Sequence, residues 1–216
     1  MTEVVGGVDE AGRGCVLGPL VVAGVSLPAD RVQELKDLGV KDSKKLSAKR
    51  REKMYPKILR VCTEVRSASI PPREIDEVVK AGVRLRSLNY LEALYFAKVI
   101  DALGADRVNV DASDTSPRRF GGYIVGAKKS ATVVKAAHKA DRDDPVVSAA
   151  SIVAKVRRDR AVSKLRVAHG DFGSGYPSDP VTRAFFSDRL LHGEPLPPFV
   201  RTSWKTWENL WQTVLA

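Results

Sequence analysis

The chain has 216 residues, of which 44% are hydrophobic and 29% are charged, a balance typical of a folded globular protein rather than a disordered one. This length suits one domain, or one domain with a smaller appended part. No apolar run approaches the roughly 20 residues of a membrane span, so the sequence indicates no membrane-spanning segment. The net charge of +10 favours a polyanionic partner, because neutralised phosphates release counterions.

The first elements predict a β-hairpin. Residues 3–8 are rich in strand formers, and a second apolar run covers residues 16–27, after the turn-like Gly12, Arg13 and Gly14. Two strands joined by a short glycine-bearing turn are typical of a hairpin. Because the chain runs into this strand without the basic start and apolar stretch of a signal peptide, we expect a cytoplasmic protein.

Helices and strands then alternate. Ser47 can cap a helix in which Met54 and Ile58 recur at helical spacing. The other predicted elements are strands over 61–70, 107–110 and 131–137, and helices over 85–103, 146–169 and 180–191, with a last helix from residue 204. The alternation predicts a mixed α/β core with a helical C-terminal portion.

Four carboxylates stand at or just after predicted strands. Asp9 and Glu10 end the first strand, Asp111 ends a later one, and Asp141 follows the next. Strand ends meet at one edge of an α/β sheet, where sites are usually built. Carboxylates suit Mg²⁺ or Mn²⁺, and two such ions can promote an in-line phosphoryl displacement. Taken singly, an aspartate here is more often a turn former or a helix cap, but an adjacent acidic pair repels unless cations neutralise it.

The glycine turn comes directly after the acidic pair. Gly12 and Gly14 allow a close backbone approach, so that N–H groups can reach a phosphate or sugar while Arg13 supplies positive charge. The spacing differs from that of a Walker loop or a dinucleotide-binding turn. As a bare pattern, glycine-X-glycine is weak and is usually only a hairpin turn.

These residues carry a resemblance to a known family. The run from Asp9 to Gly14, Asp-Glu-Ala-Gly-Arg-Gly, resembles the signature of ribonuclease HII. Further blocks similar to that family, with an archaeal character, follow in family order at residues 42–47, 110–111, 139–141 with 147–155, 173–180 and 203–206. Ordered matches over nearly the whole chain make the resemblance specific.

The resemblance implies a ribonuclease H-like fold, a mixed sheet flanked by helices. Residues 1–170 would form the catalytic domain, and residues 171–216 a helical C-terminal part packed on it. The implied activity hydrolyses the RNA strand of RNA/DNA hybrids. It also cuts 5′ of single ribonucleotides embedded in duplex DNA, by two-metal-ion catalysis that leaves 3′-hydroxyl and 5′-phosphate ends. We expect a monomer.

The resemblance also implies roles for particular residues. The catalytic metal ligands would be Asp9, Glu10, Asp111 and Asp141. Gly12, Arg13 and Gly14 would contact the ribonucleotide, and Tyr176 would stack against the sugar of the following deoxynucleotide. Both roles are chemically reasonable, because backbone groups can bond a 2′-hydroxyl and an aromatic ring offers a stacking platform.

The long predicted helix adds three candidates for substrate binding. Ser148, Ser151, Lys155 and Asp159 are spaced three, four and four residues apart, so they share one face. The face begins close to Asp141, which favours a role at the same site. The alternative is a solvated stripe with a weak Lys155–Asp159 ion pair.

Two further groups lie outside these elements. Lys44 and Lys45, in a predicted loop, could meet the duplex backbone as point charges, although a lysine pair is ordinarily only surface. Trp204, Trp207 and Trp211 form one aromatic helix face, for which docking onto the protein body is favoured over base stacking.

Two other function classes stay open on the residues alone. Another nuclease or a strand-transfer enzyme would share the carboxylates, but need not combine the Gly12–Gly14 turn with Tyr176. A non-catalytic binding protein would use the same carboxylates structurally, and would show no saturable metal binding that depends on them.

Overall fold

The computed structural model describes residues 2–40, 46–82 and 87–204. Within these ranges the strands are β1 (Val4–Ala11), β2 (Leu20–Pro28), β3 (Glu64–Ile70), β4 (Arg107–Asp111) and β5 (Val133–Ala137). The helices are α1 (Val32–Asp37), α2 (Ala48–Val61), α3 (Pro72–Ala81), α4 (Leu88–Asp101), α5 (Pro117–Ala127), α6 (Ala140–Asp143), α7 (Pro145–His169) and α8 (Pro180–Leu191). A 3₁₀ turn, Ala29–Arg31, precedes α1.

The strands form one mixed sheet in the order β3-β2-β1-β4-β5. β1 and β2 pair antiparallel, as do β2 and β3, which confirms the predicted hairpin. β1 and β4 pair in parallel, with Val8 opposite Val110, and β4 pairs in parallel with β5, with Asp111 opposite Ala137. The carboxyl ends of β1, β4 and β5 therefore meet at one edge of the sheet.

Helices cover both faces of the sheet and enclose two apolar cores, as predicted for a mixed sheet flanked by helices. On one face α7 packs on β1 and β2 with α1 and α2 beside it. That core includes Val25, Leu35, Ile58 and Ile152. On the other face α3, α4 and α5 contribute to a core that includes Val8, Ile75, Phe96 and Phe120.

Gly7 marks the closest approach between the sheet and α7. A Cβ atom on Gly7 would lie 2.4 Å from the carbonyl carbon of Val146 and 2.4 Å from the nitrogen of Val147. The first turn of α7 thus rests directly on the backbone of β1, and no larger residue fits between them. This contact fixes the distance between α7 and the sheet, and therefore the position of Ser151 and Lys155.

A third apolar cluster holds the described part of the C-terminal segment, residues 171–204, against α7 and the loop after the glycine turn. It includes Val16, Leu17, Val162, Phe172, Phe186 and Phe199. Leu17 also forms an isolated β-bridge with Val200. This described segment packs on the rest of the chain, and the division into a catalytic domain and a C-terminal part near residue 170 stays a prediction.

Two strands start three or more residues later than predicted. β2 begins at Leu20 rather than at residue 16, because Pro19 lacks an N–H and Val16 instead donates to the carbonyl of Gly175. Val61 ends α2 rather than starting β3. Helices α1, α3 and α6 were not predicted, and no range was predicted for α5. Pro72 follows directly after β3 and lies in the first turn of α3, where proline is favoured.

Some predictions fall on residues outside the described ranges: Lys44, Lys45, Trp207 and Trp211, and the start of the helix predicted from residue 85. Trp204, at the end of the last range, is partly buried against the C-terminal cluster. Of the helices in the described ranges, none combines the length and the apolar character needed to cross a membrane.

Candidate active site

Three of the four predicted acids converge at the carboxyl edge of the sheet. Carboxylate oxygens of Asp9, Asp111 and Asp141 all lie within 4.8 Å of one another. Asp9 is near the end of β1, Asp111 ends β4, and Asp141 lies in α6, just after β5. Asp9 and Asp141 are buried and Asp111 is half-buried. The parallel register of β1, β4 and β5 brings together residues that are far apart in the sequence.

A strained turn carries Asp141 into this cluster. Lys139, between β5 and α6, has φ 57° and ψ 30°, the left-handed conformation that a residue with a Cβ rarely adopts. The turn lets the N–H of Ala140 donate to Oδ1 of Asp111, with N and O 3.1 Å apart. Strain of this kind persists only where surrounding contacts hold it, and it is common at functional sites.

Glu10 lies next to the triad rather than in it. Its Oε2 is buried and, within the described residues, accepts no hydrogen bond. Burial, then the neighbouring charge of Asp9, raises the pKa of Glu10 well above its usual range, while Arg13 opposes the shift. Burial and the charge of Asp111 likewise raise the pKa of Asp9 to about 6. Buried carboxylates that repel one another are an all-oxygen donor set suited to hard divalent cations.

The predicted face of α7 does point at this cluster. Ser151 hydrogen-bonds the carboxylate of Asp9, and Lys155 Nζ donates to Ser151 Oγ at 2.7 Å. The positive charge of Lys155 acts to lower the pKa of Asp9, against the larger effect of burial. Ser148, one turn earlier, is buried. Asp159 accepts a hydrogen bond from Arg51 on α2, which joins the far end of this face to a neighbouring helix.

The glycine turn is anchored by a network that sequence reasoning missed. Gly12 has φ +89°, and the side chain of Arg13 runs back to α4, where it forms an ion pair with Glu92 and donates to Asn89 Oδ1 at 2.6 Å. Glu92 is fully buried and also accepts a hydrogen bond from Ser113. The sequence signal for this network was the glutamate inside the apolar stretch of α4, because a buried charge requires a partner.

Tyr176 lies in the loop before α8, close to the glycine turn. Its side chain remains 42% exposed, enough to meet a ligand. The N–H of Val16, just after the turn, donates to the carbonyl of Gly175 at 2.8 Å. This hydrogen bond ties the loop of Tyr176 to the segment that follows the glycine turn.

The fold and the acidic cluster together indicate the kind of enzyme. A mixed sheet covered by helices on both faces, with a carboxylate cluster at the ends of adjacent parallel strands, is the arrangement of a ribonuclease H-like nuclease that uses metal ions. The oxygen-only donors and the basic chain agree with a phosphodiester substrate.

Comparison with known proteins is more specific. The family model for Ribonuclease HII matches residues 6–207. Ribonuclease HII of Cenarchaeum symbiosum (strain A) is 47% identical over 199 residues, which cover 92% of this chain and 94% of that protein. The crystal structure of ribonuclease H2 from Pyrococcus horikoshii OT3 superposes with a TM-score of 0.86 at 40% identity, covering 98% of this chain and 99% of that one. RNase HII of Archaeoglobus fulgidus, solved as a PCNA complex, gives a TM-score of 0.84 at 41% identity over 95% and 96%.

The chain therefore belongs to the ribonuclease HII family. It is a type 2 ribonuclease H, a metal-dependent nuclease, and membership of the family supports endoribonuclease activity on RNA/DNA hybrids. The family, fold class and enzyme class predicted from the sequence are confirmed.

Proposed function

We propose that the chain, besides hydrolysing the RNA strand of hybrids, cuts 5′ of single ribonucleotides embedded in duplex DNA and leaves 3′-hydroxyl and 5′-phosphate ends. The observation that carries this proposal is the continuity of the site. The glycine turn begins two residues after Glu10, and Val16, two residues beyond the turn, is hydrogen-bonded to the loop that holds Tyr176. Groups suited to reading a ribose and groups suited to hydrolysing a phosphodiester thus lie side by side.

The residues that would hold Mg²⁺ or Mn²⁺ are Asp9, Glu10, Asp111 and Asp141. Two such ions, when bound, supply Lewis-acid stabilisation to the attacking and leaving oxygens of the phosphodiester. Ser151 orients the carboxylate of Asp9, and Lys155 adds a positive charge that a nearby phosphate oxygen would meet. Ser148 lies on the same helix face and would support the substrate there. Lys44 and Lys45 stay predicted contacts to the duplex backbone.

Discrimination between RNA and DNA would come from the Gly12–Gly14 turn and the ring of Tyr176. A Cβ atom built on Gly14 would have no neighbouring atom within 4 Å among the described residues, so the backbone there is open to a nucleotide. Its polar groups can bond a 2′-hydroxyl, which DNA lacks. The exposed face of Tyr176 would then stack against the next sugar, where a deoxyribose fits.

Cleavage of a labelled DNA duplex with one ribonucleotide tests this function. The reactions contain Mg²⁺, Mn²⁺ or EDTA, and an all-DNA duplex and a full RNA/DNA hybrid run alongside. We expect a metal-dependent cut immediately 5′ of the ribonucleotide and none in the all-DNA duplex. Cleavage of the hybrid alone would retain the nuclease and remove the junction-reading role of Tyr176.

A pair of variants on α6 tests the assignment of the acids. Asp141→Asn should abolish nearly all cleavage, whereas Asp143→Asn should not, because Asp143 is exposed and lies outside the triad. Calorimetric titration with Mn²⁺ should show weaker binding for Asp141→Asn only. Full turnover by a folded Asp141→Asn variant would refute the assignment.

We also propose a cytoplasmic monomer, for which light scattering of the purified chain gives the oligomeric state.

A further inference from the structure

Arg158 of α7 is a buried arginine that touches both loops of the proposed substrate site. It is only 3% exposed, and its Nη2 donates to the carbonyl of Ser174 at 2.7 Å. Its guanidinium carbon lies 5.2 Å from the centre of the Tyr176 ring. On the other side, a Cβ atom built on Gly12 would lie 3.2 Å from Cγ of Arg158 and 3.3 Å from its Nε. One side chain thus fills the space between the glycine turn and the ring.

The shape of this side chain matters more than its charge. Its ion pair with Asp159 is long, 3.5 Å, and Asp159 is partly exposed, so that pair contributes little. The planar guanidinium instead lies against an aromatic ring and donates to a carbonyl in the same loop, and an ammonium group cannot reproduce this geometry. Burying a charge is costly without such contacts.

The glycine turn itself is also held by a second buried arginine. Nη1 of Arg201 donates to the carbonyl of Arg13 at 3.0 Å, and Nε donates to the carbonyl of Gly18 at 3.0 Å. Loss of Arg158 should therefore leave the turn and the acids in place. What it should change is the position of the Tyr176 ring relative to the turn.

We infer that Arg158 is a positioning residue that sets the spacing between the Gly12–Gly14 turn and the Tyr176 ring, and thereby the preference for an RNA-to-DNA junction. The inference rests on the proposed function. The turn would contact the ribonucleotide and the ring the next sugar, so their spacing must match two consecutive nucleotides. A full hybrid presents a ribose at the second position, and its cleavage depends less on the ring.

The test compares Arg158→Lys with Arg157→Lys as a matched control. Arg157 is the preceding residue of α7, but its guanidinium bonds Tyr55 and Ser67, away from both loops. The readout is kcat/KM for a duplex with one embedded ribonucleotide divided by kcat/KM for a full hybrid. We expect Arg158→Lys to lower this ratio about tenfold, the scale of one lost guanidinium–ring contact, and Arg157→Lys to leave it unchanged.

A double variant separates positioning from a general loss of structure. Tyr176→Ala should lower the ratio by itself, and adding Arg158→Lys to it should lower the ratio no further, because both changes remove one interaction. Thermal melts establish that each variant is folded at the assay temperature. If Arg158→Lys does not fold, Arg158→Met, which keeps the unbranched chain, takes its place.

Two results would overturn the inference: an equal loss on both substrates, or independent effects of the two changes in the double variant. An unmodified chain that fails to cut at an embedded ribonucleotide would instead remove the proposed function, and the inference with it. The two failures are therefore distinguishable before any variant is compared.

Discussion

Replacement of Gly7 by alanine should damage both stability and catalysis, although Gly7 touches no substrate. The added Cβ would lie 2.4 Å from two backbone atoms of α7, the carbonyl carbon of Val146 and the nitrogen of Val147. Carbon atoms in contact are normally about 3.5 Å apart, so α7 must move away from β1 by about 1 Å. The atoms that the Cβ would meet belong to the backbone, so no change of side-chain rotamer can relieve the overlap.

The expected size of both effects follows from that displacement. Overpacking against rigid backbone should lower the free energy of unfolding by about 3 kcal/mol, at the upper end of such substitutions. For a chain of this length the melting temperature should fall by about 6–12 °C. Moving α7 also shifts Ser151 and Lys155 away from Asp9, and a misplacement of about 1 Å can reduce turnover about 100-fold.

The assay is thermal unfolding followed by calorimetry, with hybrid cleavage measured well below the transition. Gly122→Ala is the matched control, because Gly122 is inside α5. Apart from its chain neighbours and the helix backbone, none of the residues that the structure describes has an atom within 4 Å of a Cβ built there. That change should raise stability by about 0.5–1 kcal/mol, since glycine is a poor helix former. An unchanged melting temperature for Gly7→Ala would refute the close approach of α7 to the sheet.

Three smaller changes have distinct expected results. Lys139→Gly should stabilise the protein by about 1 kcal/mol in urea unfolding, because glycine relieves the left-handed strain, while Lys139→Ala should gain nothing. Glu92→Gln should lower the free energy of unfolding by about 2 kcal/mol and impair cleavage, because Arg13 loses a buried charged partner. The control Glu77→Gln, at an exposed ion pair, should change it by less than about 0.5 kcal/mol. Equal effects of the two changes would contradict the Arg13–Glu92 network. Asp179→Asn should be less stable than the parent at pH 7, because hydrogen bonds from Ser174 lower the pKa of Asp179 to about 2. A lowered pKa of Asp179 stabilises the fold above about pH 4, and this stabilisation is lost as the pH falls through about 2. The free energies of unfolding of the two proteins should therefore converge at about pH 2. A difference that does not depend on pH would exclude the charge of Asp179 as its cause.

Much of the fold could be predicted because its signals are local. The hairpin of β1 and β2 and the long helix α7 follow from alternation, apolar periodicity and caps within a few residues of each other. Helix α3 was missed because the two prolines at its start, Pro71 and Pro72, can also stop a strand, and only the surrounding packing decides between the two outcomes. The start of β2 was misplaced because residues 16–18 bond to a segment more than 150 residues later, which no local pattern reveals.

The chemistry of the site could be predicted from the residues along the chain: strand-end carboxylates, a glycine turn with an arginine, and a tyrosine between glycine and proline. Which of these groups meet depends on the packing of distant elements, and the structure shows it. It paired Arg13 with Glu92, 79 residues away, and placed Arg158 between Gly12 and Tyr176. The physical reason is that residue type and spacing report local conformation, whereas the partner of a buried charge depends on how distant elements pack together.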